Sequence, residues 1–195
     1  MKNLLTTIAI AFLACLPISA RAGGSITACG TTIPGTATGV YTVTANISGG
    51  SANCITVDAS NITINLNSFV LTGNGAGKGI AIGSSSVANL TVENGTLKGF
   101  LTAIDTSANT VNAMTQVRNV TIRNSTGNGF TPGNIALITD SSFLNNGGWA
   151  VYGPNTANGT LIVNTIACGN VSGAFDLPTG TNDYAIYFSP VSSSC

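Results

Sequence analysis

Beyond residue 22 the chain carries four cations, Lys78, Lys98, Arg118 and Arg123, against six carboxylates, Asp58, Glu93, Asp105, Asp140, Asp176 and Asp183, and it contains no histidine at all. Ser-His-Asp triads and imidazole metal sites are therefore excluded. Carboxylate chemistry needs acids that converge. Asp58, Glu93 and Asp105 are the only acids of the central segment before Asp140, and their spacing shows no cage suited to calcium. The sequence thus assigns no catalytic residue, no metal site and no cofactor. Four scattered cations and a net charge of −2 after residue 22 also lack the concentrated basic surface that nucleic acid requires.

Aromatic side chains gather late in the chain, at Trp149, Tyr152, Tyr184, Tyr187 and Phe188. Exposed rings stack on sugar faces, which makes Tyr152, Tyr184 and Tyr187 the candidate ligand-binding residues. Trp149 shares the inward parity of Val151, so it and Phe188 are assigned to the core or to a cap.

The elements that hold these residues are strands. Only 6% of the chain is charged while 44% is apolar, β-branched residues are abundant, and Gly, Asn and Ser punctuate them as turns. An apolar position recurs at Ile55, Ile80, Ile104, Phe130, Val151 and Ala174, at intervals of 21 to 26 residues. A second column follows at Ile64, Val92, Ile122, Ile138 and Ile162. A period of this size in a strand-rich chain predicts a β-solenoid, here an all-β, right-handed parallel β-helix of about seven coils. The segment from 105 to 116 is expected to form the longest lateral loop, and "TPGN" the shortest.

Within the repeat, "NLTVENGTLKGF" (89–100) and "NVTIRNSTGNGF" (119–130) match at half their positions. Strand parity sends Leu90, Val92, Val120 and Ile122 inward, and Thr91, Glu93, Thr121 and Arg123 outward. Aligned this way, Glu93 and Arg123 are neighbours on adjacent coils, and Thr63, Thr91 and Thr121 share an outward column. Asn67, Asn94, Asn124, Asp140 and Asn164 become an asparagine ladder that caps one bend. Eight Asn-x-Ser/Thr sequons, at Asn46, Asn61, Asn89, Asn94, Asn119, Asn124, Asn158 and Asn170, are read as repeated turn positions rather than as glycan acceptors.

Cys29 and Cys54 lie 25 residues apart, and Cys168 and Cys195 lie 27 apart, each close to one coil. Four cysteines allow three connectivities, of which this one places a clamp at each end. Residues 1–22 have the form of a secretory signal: Lys2, a thirteen-residue apolar run from Leu4 to Leu16, and small residues Ala20 and Ala22 before a cleavage point. "FLAC" around Cys15 is a weaker match to a lipoprotein box. No stretch is long enough for a transmembrane helix. Residues 23–195 are then one exported domain, secreted or periplasmic, with a bacterial style of leader.

The segments "CGTTI", "NISGGSANCITV", "NITINLNSFVLTG", "NLTVENGTLKGF" and "NVTIRNSTGNGF" resemble the right-handed parallel β-helix proteins of the pectin-lyase-like fold. The likeness is to small secreted bacterial members whose first coil is tied by a disulfide, and it covers roughly residues 27–170. That fold serves enzymes, adhesins and structural proteins alike. Its lyases hold calcium with clustered acids and use an arginine base. Arg118 or Arg123 would fill that role here without the metal cage, and the grouped aspartates and histidine of its hydrolases are missing. The expected function is noncatalytic, binding polysaccharide or acting at the cell surface. The alternatives are a carbohydrate-active lyase or hydrolase, and a structural element that self-associates through its end coils.

Overall fold

β-Branched residues at every second position, interrupted by Asn and Gly, close the chain into stacked coils rather than into a flat sheet. A computed structural model describes residues 23–110, 113–153 and 159–177, and the backbone of 185–188. Among these residues there is no helix, and every strand pairing is parallel. The chain is a parallel β-solenoid of about six turns, with seven strands stacked on its first face. That face runs through Thr31–Ile33, Ile55–Val57, Lys78–Ile82, Thr102–Asp105, Phe130–Thr131, Trp149–Tyr152 and Gly173–Asp176. The 12-stranded sheet supplies the other two faces. Leu90–Lys98 and Met114–Arg123 are long enough to run along the second face, bend, and continue along the third.

The bends are set by residues that tolerate a left-handed backbone. Between the second and third faces these are Asn94 (φ 60°), Asn119 (φ 52°), Asp140 (φ 51°) and Asn164 (φ 46°). Between the third face and the first face of the next coil they are Gly99, Asn124, Asn145 and Gly169. Most side chains are strained in this conformation, while Asn, Asp and Gly enter it readily. Neighbouring side chains also bond along the axis: Asn119 Nδ2 donates to the Asn94 amide oxygen Oδ1 at 3.0 Å and Asn164 Nδ2 to the Asp140 carboxylate oxygen Oδ1 at 2.6 Å. Asn119→Val should therefore cost about 2 kcal/mol, whereas Asn119→Gly loses the amide bond but keeps the bend and should cost under about 1 kcal/mol. Urea unfolding of the two variants separates these effects; equal losses would mean that the bend is not conformationally demanding.

Three inward stacks fill the interior. Ile55, Ile80, Ile104, Phe130 and Val151 are in register on the first face. Ile64, Val92, Val117, Ile138 and Ile162 line the second, and Leu71, Leu97, Ile122, Phe143 and Ala167 the third. All fifteen are fully buried. The first column is thus as the spacing predicts through Val151, but its next member is Phe175 and not Ala174. In the second column Val117 stands where Ile122 was expected.

A single five-residue displacement accounts for the other departures. Leu90 pairs with Thr115, so the partner of "NLTVEN" is residues 114–119 rather than 119–124. Glu93 consequently faces Arg118, while Arg123 faces Lys98. Asn119, not Asn124, joins Asn94, Asp140 and Asn164 at the bend; Asn124 sits at the following bend. Thr63 and Thr91 continue into Gln116, and Thr121 stands beside Thr96 on the third face. The lateral loop is shorter than 105–116, because Asp105 ends one strand and Met114 begins the next. Loops at this corner vary in length without disturbing the register, since they lie between fixed strands.

Cys29 and Cys54 form the expected N-terminal disulfide. Cys168 is not a free thiol; Cys195, its suggested partner, lies outside the described residues, as do residues 1–22 with the leader and Cys15.

Candidate functional site

An extra length of chain at one bend creates a polar concavity on the exterior. Between the paired positions Asn65–Glu93 and Val70–Thr96, one coil has Leu66, Asn67, Ser68 and Phe69 where the next has only Asn94 and Gly95. The longer coil needs two left-handed residues, Asn67 (φ 50°) and Ser68 (φ 64°), and bulges outward. Asn67 stands in this bulge, at the same bend as Asn94. Asn65 Oδ1 accepts from the Asn67 amide at 2.8 Å, and the Ser68 amide donates to the Asn94 carbonyl at 2.7 Å, so the bulge is anchored on both sides.

Gly95 lies beneath it. A Cβ there would fall 2.4 Å from Leu66 Cβ and 2.8 Å from the Phe69 carbonyl oxygen, so only glycine admits the bulge at this distance. The result is an open depression of about 240 Å³ lined by Ser68, Asn94, Gly95, Thr96, Asn119 and Thr121. Hydroxyls of Ser68, Thr96 and Thr121 and the amides of Asn94 and Asn119 offer both donors and acceptors. The Asn119–Asn94 bond fixes the orientation of the two amides. Such a surface suits a ligand rich in hydroxyl groups.

None of the lining residues is charged, and the carboxylates beside and beyond the depression are held in ion pairs. Arg118 Nε donates to Glu93 Oε2 at 2.6 Å, and Nη2 lies 2.5 Å from the same oxygen. Glu93 is largely buried under this pairing whereas the Arg118 side chain is 53% exposed, which limits the net stabilisation. Lys78 Nζ lies 2.7 Å from Asp105 Oδ2, and Asp105 Oδ1 accepts from the amide and hydroxyl of Ser107 at 2.9 and 2.6 Å. Both carboxylates are thus occupied by structural partners. Among the described residues no three cysteines or carboxylates gather as metal ligands would.

Of the aromatic candidates, Tyr152 is 38% exposed on the first face, with Thr131 and Asp176 as its register neighbours. Tyr187 belongs to a strand on the second face, where its backbone is in register with Ile162. The backbones of Tyr152 and Tyr187 therefore belong to different sheets. Tyr184 and the side chain of Tyr187 lie outside the described residues. Trp149 is half-buried, its ring filling the space where Gly173 has no side chain; Phe188 is placed by its backbone alone, in register with Val163.

Sequence reasoning missed two features. One is a buried polar column at the bend after the third face: Asn146 Oδ1 accepts from the Ser125 amide at 3.0 Å, and Asn146 Nδ2 donates to Asn170 Oδ1 at 2.8 Å. Its only signal was an Asn two positions after Ser142–Leu144 and again after Ile166–Cys168. The other is an apolar concavity of about 260 Å³ on the second face, lined chiefly by Met114, Ile135, Leu137 and Leu161, where outward positions turn from threonine to aliphatic along the stack.

Among the described residues no helix is long and apolar enough to cross a membrane. No protein-family model, curated protein or solved structure matches the chain.

Proposed function

We propose that this protein is an exported, noncatalytic β-solenoid that binds polysaccharide, in the extracellular space or at the cell surface. The observation that carries the reading is the depression around Gly95, where hydroxyls and oriented amides face outward from stacked strands. Rigid coils suit an extended polymer because the receptor groups are ordered before binding, so little further conformational entropy is lost. Likeness to the pectin-lyase-like β-helix proteins supports the ligand class. Residues 1–22 serve as the secretory signal of a secreted or periplasmic bacterial protein, and an oxidising compartment accords with the Cys29–Cys54 disulfide.

The test is binding of the mature, oxidised protein to a panel of neutral and acidic polysaccharides, alongside Thr96→Val and Thr121→Val. These substitutions keep strand propensity and shape while deleting one hydroxyl each, and each should weaken binding by about fivefold to tenfold without shifting the thermal midpoint. Binding that ignores both changes would overturn the assignment of the site. Shortening of the polysaccharide would instead favour a carbohydrate-active enzyme, and mass rising with concentration without glycan would favour a self-associating structural element.

A further inference from the structure

Lys98 and Arg123 are register partners on the third face, one coil apart. Adjacent parallel strands are about 4.8 Å apart, and like charges placed directly opposite one another are destabilising. Their next neighbours along the column are Thr72 and Leu144, so no carboxylate flanks the pair in its own column. Among the described residues the ion pairs are Lys78–Asp105 and Arg118–Glu93, and neither includes Lys98 or Arg123. The same two strands place opposite charges together at Glu93 and Arg118, five residues earlier. This pair of strands thus carries one complementary contact and one repulsive one.

The repulsive pair adjoins the polar depression. Thr96 and Thr121, which line it, lie two residues before Lys98 and Arg123 and share their outward parity. A sugar whose hydroxyls occupy the depression would present its next substituents to the two cations. Arginine supplies a planar fork and lysine a point charge, a combination that fits an oxyanion with two or three oxygens.

We propose that Lys98 and Arg123 form an oxyanion subsite, which makes the bound glycan an acidic one carrying carboxylate or sulfate groups. The proposal rests on the glycan-binding reading of the same face. It also accounts for an otherwise unfavourable contact, because a bound oxyanion converts the repulsion into two attractive interactions.

Dextran, carboxymethyl-dextran and dextran sulfate of matched length share one backbone and differ in charge, so their affinities isolate the subsite. The mature protein should bind the charged forms about tenfold or more tightly than dextran at low salt. Lys98→Gln/Arg123→Gln should abolish that preference while leaving dextran binding unchanged. The thermal midpoint of the double variant should stay level or rise, since a repulsion has been removed, and this reads folding separately from binding. Which charged dextran binds better tells carboxylate from sulfate recognition. Equal affinity for charged and neutral dextran overturns the subsite but leaves glycan binding standing. A charge preference that survives in the double variant places the anion contact elsewhere and also overturns it. Failure of all three dextrans together with the wider polysaccharide panel overturns glycan binding and the subsite with it.

Discussion

Phe143→Ala is expected to lower the unfolding free energy by about 3–5 kcal/mol, the largest effect of any single truncation considered for this molecule. Phe143 is fully buried in the third inward stack, between Ile122 and Ala167. Its ring is accommodated by the small side chain of Ala167 on one side and by Gly129, where a Cβ would come within 2.7 Å of the ring. Truncation would leave a cavity that neither small neighbour fills. Backbone ladders on three faces fix the spacing of the coils, so the walls cannot collapse to compensate. Urea unfolding of the oxidised protein should show a lower midpoint, and Phe143→Leu should lie between the variant and the parent. A loss below about 1 kcal/mol for the alanine variant would mean that the interior is looser than its burial indicates.

Removing the Cys29–Cys54 disulfide should cost about 3 kcal/mol, from the entropy returned to an unfolded chain that is no longer closed across 25 residues. The effect should be local before it is global. Among the described residues the strands Gly24–Ile26 and Thr31–Ile33 each pair on one side only, with Gly39–Val43 and Ile55–Val57. The Gly30 and Thr31 amides both donate to the Cys54 carbonyl, at 2.8 and 3.1 Å, so the bridge pins the turn that joins the first coil to the second. In Cys29→Ala/Cys54→Ala, hydrogen exchange should quicken across residues 24–33 before the central coils respond. Uniform acceleration along the solenoid, or none, would show that the first coil is held by its ladders and not by the bridge.

Registers were legible where the repeat is chemically uniform. On the first face each coil contributes one short strand with one large aliphatic or aromatic centre, so Ile55, Ile80, Ile104, Phe130 and Val151 could be aligned by type and distance alone. On the other faces a ten-residue strand, Met114–Arg123, together with Asn124 after it, contains two similar motifs, "QVRN" and "TIRN", five residues apart. Both place an aliphatic residue, an arginine and an asparagine in the same order, and both asparagines have a left-handed backbone. The motif closer in wording to "TVEN" was the wrong partner. The choice depends on how many residues the preceding lateral loop consumes, and loop length is not written in local propensity.

That displacement also hid the candidate site. With Arg123 assigned to Glu93, no unpaired cations stood together; with Arg118 in that place, Arg123 falls beside Lys98. The depression was equally illegible, because it arises from a coil with two more residues at a bend than its neighbour and from a glycine beneath it. Neither residue pattern is unusual until the coils are stacked. Of the aromatic candidates, Tyr152 stands on the first face and the backbone of Tyr187 on the second, an arrangement that follows from the stacking of the coils and not from sequence distance.

By itself, the sequence determined the all-β solenoid, its period, the identity of most inward residues and a one-coil cysteine spacing that suits an N-terminal disulfide, because these follow from alternation, β-branched composition and spacing that recurs from coil to coil. Only the tertiary structure decided which arginine meets Glu93, which asparagines share a bend and where hydroxyls, amides and unpaired cations come together. Side-chain parity is a local property of a strand, whereas the meeting of outward side chains depends on the summed length of every loop between them.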